Sequence, residues 1–236
     1  MVTITAAVRA PTSYDYTVGS RSEFTLGVDL GQSIDPTAIA LVERLVETTG
    51  KTEWIAGNLQ GAMNPRAELA VSYRCRAVEL LPLGTKYQAI TEHLARRFDY
   101  VSGLGKTELV FDETGARAAG DMIRAAIRNA IGATLTGSER DARIDSQRWS
   151  VSKANMVSGL LAGIENGDLE LADDLTDIDT LKAHLTDLRR KISALGHLSF
   201  NAREGSHDDY VTALGLAYWW LTRPKHYAHM GKLADF

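Results

Sequence analysis

Residues Phe24 to Gly31 spell FTLGVDLG, a short apolar run that carries an aspartate to its end and follows it with a glycine. A run of this length suits a strand buried on both faces, the kind found in sheets flanked by helices. The pattern returns at Glu108 to Gly115, ELVFDETG, where Leu109, Val110 and Phe111 lead into Asp112. Ala118 to Ala130 then has the small and apolar residues of a helix. Strand, acid, turn and helix make the repeating unit of an open α/β sheet, whose ligands gather outside the carboxyl ends of the strands. Asp29 and Asp112 are therefore expected on one edge of a common sheet.

The other segments fit the same architecture. Thr37 to Glu47, Thr52 to Gly57 and Glu68 to Leu81 have the character of strands in a meander. Tyr87 to Val101 is expected to be helical from the spacing of Ile90, Leu94, Phe98 and Val101. Short strands are expected at Ala133 to Gly137 and Arg148 to Val151, and helices at Lys153 to Glu165 and Asp179 to Lys191. Ser193 to Gly205 is expected to be a hairpin or mobile loop, and His207 to Leu221 a last helix that Pro224 helps to end. Trp219 and Trp220 on that helix are expected to pack in the core. Strands in a meander followed by alternating strands and helices predict an α/β fold, a mixed sheet with helices on both faces. The polar residues 1–23 form a lead-in or linker, 24–222 the domain, and 223–236 a tail that either docks on another component or is disordered.

Composition sets limits on function. At 236 residues with 44% hydrophobic content, the chain can bury the core of one such domain. It has no apolar run of roughly 18 residues and no signal-peptide pattern, so no membrane partner is expected and the expected location is the cytoplasm. The single cysteine, Cys75, excludes an internal disulfide and is expected to be a small buried hydrophobe. A net charge of -4 argues against gripping nucleic acid by bulk electrostatics, although Arg140, Arg143, Arg148 and Lys153 form a local basic stretch.

Asp29 is unusual because a carboxylate in an apolar strand is costly to desolvate unless something compensates it. A bound cation would do so, with Gly27 and Gly31 permitting close approach of a phosphate or a backbone; the alternative is an acid that caps the next turn. Asp112 has the same two readings, and its neighbour Glu113 points elsewhere, as an auxiliary at most. Ser206, His207, Asp208 and Asp209 open the last helix, where a cap and the helix dipole account for one acid but not two. His207 either orients an acid, assists proton transfer or begins the helix. Two acids at strand ends plus an acid pair at a helix start are the parts of a two-metal phosphodiesterase site, and carboxylates suit Mg²⁺ and Mn²⁺.

The segments GVDLGQSIDPTAIALVE, LVFDETGARAAGDMI, VSKANMVSGLLAGIENGDLEL and SHDDYVTALGLAYWW together resemble the nuclease domain of the large terminase subunit of tailed bacteriophages, over about residues 24–222. The resemblance implies an RNase H-like fold and an endonuclease that cuts concatemeric double-stranded DNA during viral genome packaging, in the host cytoplasm. It implies two Mg²⁺ or Mn²⁺ ions held by Asp29, Asp112 and Asp209, with Asp208 as an added or alternative ligand. Lys153 would contact DNA or be a solvated lysine; Arg148 and Arg143 are further candidate DNA contacts. A separate packaging ATPase, the small terminase subunit and the portal are the implied partners. A large terminase also carries an ATPase, for which 23 residues leave no room, so an isolated domain or separately encoded subunit is expected. The GLGKT at Gly103 to Thr107 lacks the first glycine of a phosphate-binding loop and precedes a strand. Rival readings are a Holliday-junction resolvase, an actin-like ATPase or kinase using DETG as a phosphate loop, and a non-catalytic packaging subunit.

Overall fold

The computed structural model describes residues 21–31, 35–56, 63–172, 174–192, 198–202 and 208–223. Its strands are β1 (Arg21–Asp29), β2 (Ala38–Ala56), β3 (Met63–Leu80), β4 (Lys106–Asp112), β5 (Ile131–Thr136), β6 (Ala142–Arg143), β7 (Arg148–Ser152), β8 (Leu169–Leu171), β9 (Leu188–Ile192) and β10 (Leu198–Ala202). The helices are α1 (Tyr87–Ser102), α2 (Arg117–Ala126), α3 (Lys153–Glu165), α4 (Ile178–Asp187) and α5 (Asp209–Thr222). Eight strands form one sheet in the order β6-β7-β5-β4-β1-β2-β3-β8, and β9 and β10 pair separately. β1, β2 and β3 are the antiparallel meander, while β1, β4, β5 and β7 run parallel to one another.

Alternation along the strands sorts the two faces. Phe24, Leu26 and Val28 of β1, with Leu109 and Phe111 of β4, pack with Ile90 and Leu94 of α1 and Ile123 of α2. Val110 of β4, by contrast, joins the opposite layer with α3 and α5. Burial on both sides explains why these strands are apolar throughout rather than alternating. α5 crosses β1 at Gly27, where a Cβ would lie 2.0 Å from the Ala213 carbonyl oxygen and 2.7 Å from the Ala217 nitrogen. The glycine thus admits the helix backbone. Every residue of α5 from Asp209 to Leu221 is buried, Trp219 and Trp220 among them.

Several boundaries differ from the sequence expectations. β1 begins at Arg21, inside the expected lead-in; residues 1–20 and 224–236 lie outside the described residues. β2 is a single strand, with its register against β3 shifting between Thr48 and Thr52 around Gly50, whose φ is +76°. α2 ends at Ala126, because Ile127 and Ala130 stay apolar by packing in the core rather than by being helical. Leu188 to Lys191 were expected in a helix but are strand, since pairing with β10 overrides a helix propensity worth only tenths of a kcal/mol per residue. Gly103 to Gly105 is the turn from α1 into β4, and Lys106 and Thr107 already belong to the strand. Cys75 is fully buried, and burial pushes its thiol up to about 12.

Glu113 occupies the α2 side of the sheet, where its carboxylate accepts from Arg124 Nη1 at 2.6 Å. It covers Gly132, at which a Cβ would stand 1.8 Å from Glu113 Oε2. Removing one partner of such a buried pair strands the other charge, so Arg124→Met should cost roughly 3–5 kcal/mol in urea denaturation. Adding Glu113→Gln should recover part of that loss; an unchanged midpoint in Arg124→Met would refute the role of the pair.

Candidate active site

Asp29 and Asp112 end neighbouring parallel strands. Val28 pairs with Phe111 in the ladder, which sets the two aspartates side by side on strands about 4.8 Å apart. Both extend the face that carries Gly27 and Val110, so both point toward α5. Because that helix is seated on Gly27, its first turn, with Asp209, comes over the end of β1. Asp209 is only 7% exposed.

Asp208 stands at the N-cap position but makes no side-chain cap bond. Its Oδ2 instead accepts from Lys153 Nζ at 2.8 Å. Lys153 opens α3, whose own N-cap, Ser152, accepts from the Asn155 amide at 3.3 Å. Asp112 does not cap α2 either; its Oδ1 accepts from the Thr114 amide at 2.8 Å and so stiffens the turn beyond β4. Gly31 donates to Thr37 Oγ1 at 3.1 Å, and a Cβ there would meet the Asp35 and Pro36 backbone, so this glycine also serves the chain's own packing.

The electrostatics follow from this crowding. Burial raises the Asp29 carboxyl well above the usual carboxylate range, helped by Asp112, Asp209 and Asp208 and opposed by Lys153. Burial also raises Asp112, with Asp208 adding to it, against the Thr114 hydrogen bonds and Lys153. Acids drawn this close together carry negative charge that a hard cation with oxygen preference would neutralise. The donor chemistry therefore suits divalent metal. Among the described residues no three His, Cys, Asp or Glu side chains are already gathered as a ligand set.

Not every expected residue meets here. Glu113 is held by Arg124 on the opposite face, and His207 lies outside the described residues. Arg148 alternates with Trp149 and faces the α2 side, where it pairs with Asp145 at 2.6 Å. Arg143 lies in β6, by the far end of α5, and its Nε donates to the Asp145 carbonyl at 2.9 Å. Sequence reasoning missed Thr114 as a brace for Asp112, which has no local signature; at Gly27, where close approach of a phosphate or a backbone is expected, the backbone of α5 is what approaches.

A mixed sheet built from an antiparallel meander running into parallel strands, with helices on both faces and acids at the ends of β1 and β4, is an RNase H-like α/β fold. Among solved structures it is similar to the large terminase nuclease of thermophilic phage G20c, with a TM-score of 0.50 and 20% identity over 85% of each chain. The same nuclease with bound magnesium gives a TM-score of 0.51 at 20% identity, and with bound cobalt 0.51 at 18%, each over 85% of this chain and 84% of that one. No family model and no curated protein sequence matches the chain significantly. At these identities the likeness establishes the fold. Among the described residues no helix is long and apolar enough to cross a membrane.

Proposed function

We propose that this protein is a metal-dependent endonuclease that cuts double-stranded DNA, as a terminase nuclease would when it severs concatemers in viral genome packaging. The observation that carries the proposal is that Asp112, Asp209 and Asp208 all lie near enough to the buried Asp29 to raise its carboxyl, with Lys153 bonded to Asp208. The fold shared with a terminase nuclease that binds magnesium and cobalt supports it.

Asp29, Asp112 and Asp209 would hold two Mg²⁺ or Mn²⁺ ions, with Asp208 as a further ligand. When bound, such ions supply an activated water and stabilise the departing 3′ oxygen. The chain's own residues hold the geometry: the Thr114 amide orients Asp112, Gly27 lets α5 bring in Asp209, and Lys153 is placed to meet a DNA phosphate once it leaves Asp208. DNA would approach the open edge beyond β1 and β4. A packaging ATPase, the small terminase subunit and the portal are the partners this reading carries with it.

Supercoiled plasmid provides the test. The full chain should nick and linearise it with Mn²⁺ or Mg²⁺ and leave it intact with a chelator. Asp112→Asn should behave like the chelated protein while remaining folded; undiminished cutting by that variant, or cutting indifferent to chelation, would refute the site. A preference for four-way junctions over plasmid would move the substrate to branched DNA.

A further inference from the structure

At the opposite end of α5 lies a cavity of about 550 Å³ lined by, among others, Arg128, Arg143, Asn129, Trp149, Trp220 and Arg223. α5 is 14 residues long, which at 1.5 Å per residue puts this cavity about 20 Å from the acid cluster. Its charge is lopsided. Glu108 is the one acid among the lining residues, and it already faces Lys106 at 3.7 Å. Among the described residues none of the three arginines has an acidic partner in an ion pair.

Arg223 is the most constrained. Its Nη1 donates to the Trp220 carbonyl, closing the last turn of α5, and its guanidinium carbon lies over the Trp220 ring, 3.1 Å from the centroid. Burial, together with Arg143, holds it below its usual value, with Glu108 acting against them. Arg143 uses Nε on the Asp145 carbonyl, and Arg128 is exposed. A guanidinium has five donors, so most of the donor capacity around this cavity faces outward from the protein's own bonds.

We propose that this cavity binds a phosphate-bearing ligand of nucleotide size, held by Arg128, Arg143 and Arg223. A phosphate presents several oxygens to several guanidinium forks at once, whereas a lone carboxylate is satisfied by one. The volume falls within the roughly 300–1,000 Å³ of small-molecule sites and exceeds what a bare anion fills. The half-buried Trp149 ring and the Asn129 amide are there for the rest of the ligand. The ligand is either a free nucleotide or the phosphorylated end of a nucleic acid.

Calorimetric titration of the full chain in a chelator separates this site from the acid cluster. Deoxyadenosine 5′-monophosphate should bind saturably at one site and deoxyadenosine should not. Arg128→Gln and Arg143→Gln, both at exposed positions, should each weaken binding about tenfold or more, the loss of charged hydrogen bonds, with unchanged melting temperature. Asp112→Asn should bind normally. A 5′-phosphorylated oligonucleotide binding tighter than the mononucleotide identifies a nucleic-acid end; equal affinity identifies the free nucleotide. Absence of saturable binding by both probes overturns the proposal, as does binding that survives both arginine variants or is lost in Asp112→Asn. The outcome is independent of whether the chain cuts DNA.

Discussion

Asp29→Asn should abolish DNA cleavage and at the same time raise the melting temperature of the metal-free protein at neutral pH. On the proposed function Asp29 is a shared metal ligand, whose loss would remove several kcal/mol of transition-state stabilisation, or roughly two to four orders of magnitude in rate. The gain in stability follows from the raised carboxyl of Asp29. A folded-state pKa above the unfolded one makes a contribution that is complete below the unfolded value of about 3.9 and is lost as pH rises through the folded value. An aspartate whose carboxyl is raised on folding therefore opposes folding at pH 7, and the amide, which does not titrate, does not. Asp112 titrates in the same sense, so metal-free wild type should lose part of its stability as pH climbs from acid to neutral.

Divalent metal should reverse that trend, because ions bind the ionised carboxylates. At a concentration about a hundredfold above Kd, the linkage gain is about 2.7 kcal/mol, roughly 5–10 °C for a domain of this size. The metal-induced shift should vanish in Asp29→Asn. A variant that loses cleavage, stays at the wild-type melting temperature without metal and still gains from Mn²⁺ would show that Asp29 is not part of the site. Differential scanning calorimetry at several pH values reads all of these quantities.

Gly27→Ala should destabilise the fold by roughly 3 kcal/mol, at the upper end of overpacking costs, because the added carbon meets backbone rather than a movable side chain. Ala213 and Ala217 cannot yield without shifting α5, and Asp209 moves with that helix. Cleavage should fall even in conditions where the variant is folded, since about 1 Å of misplacement at a reacting centre costs on the order of a hundredfold. Urea denaturation and single-turnover nicking, measured together, separate the two effects. A Gly27→Ala protein with native stability and native cleavage would refute the close crossing.

These expectations show how far the sequence carried. β1 and β4 were legible because burial on both faces leaves an uninterrupted apolar run, and the acids at their ends stand out against it. α3 was legible to the residue, since Ser152 caps it and Gly167 closes its exit. What escaped depends on contacts between distant segments. Leu188 to Ile192 is strand only because Leu198 to Ala202 lies beside it. Gly27 left open whether a phosphate or a backbone comes close, and only the fold shows that it is the backbone of α5. Likewise Lys153 and Asp208 are 55 residues apart, and nothing local in either segment announces their ion pair.

The acids reach one place from three stretches of chain, and one of those stretches, α5, is also the helix around which the core closes. Asp209 can therefore join Asp29 and Asp112 only after the sheet and its helix have packed. On the proposed function, a partly folded chain would have no assembled site, and cleavage would be withheld until folding is complete. The same coupling means that a lesion which loosens the core anywhere along α5 disarms the protein before it unfolds it.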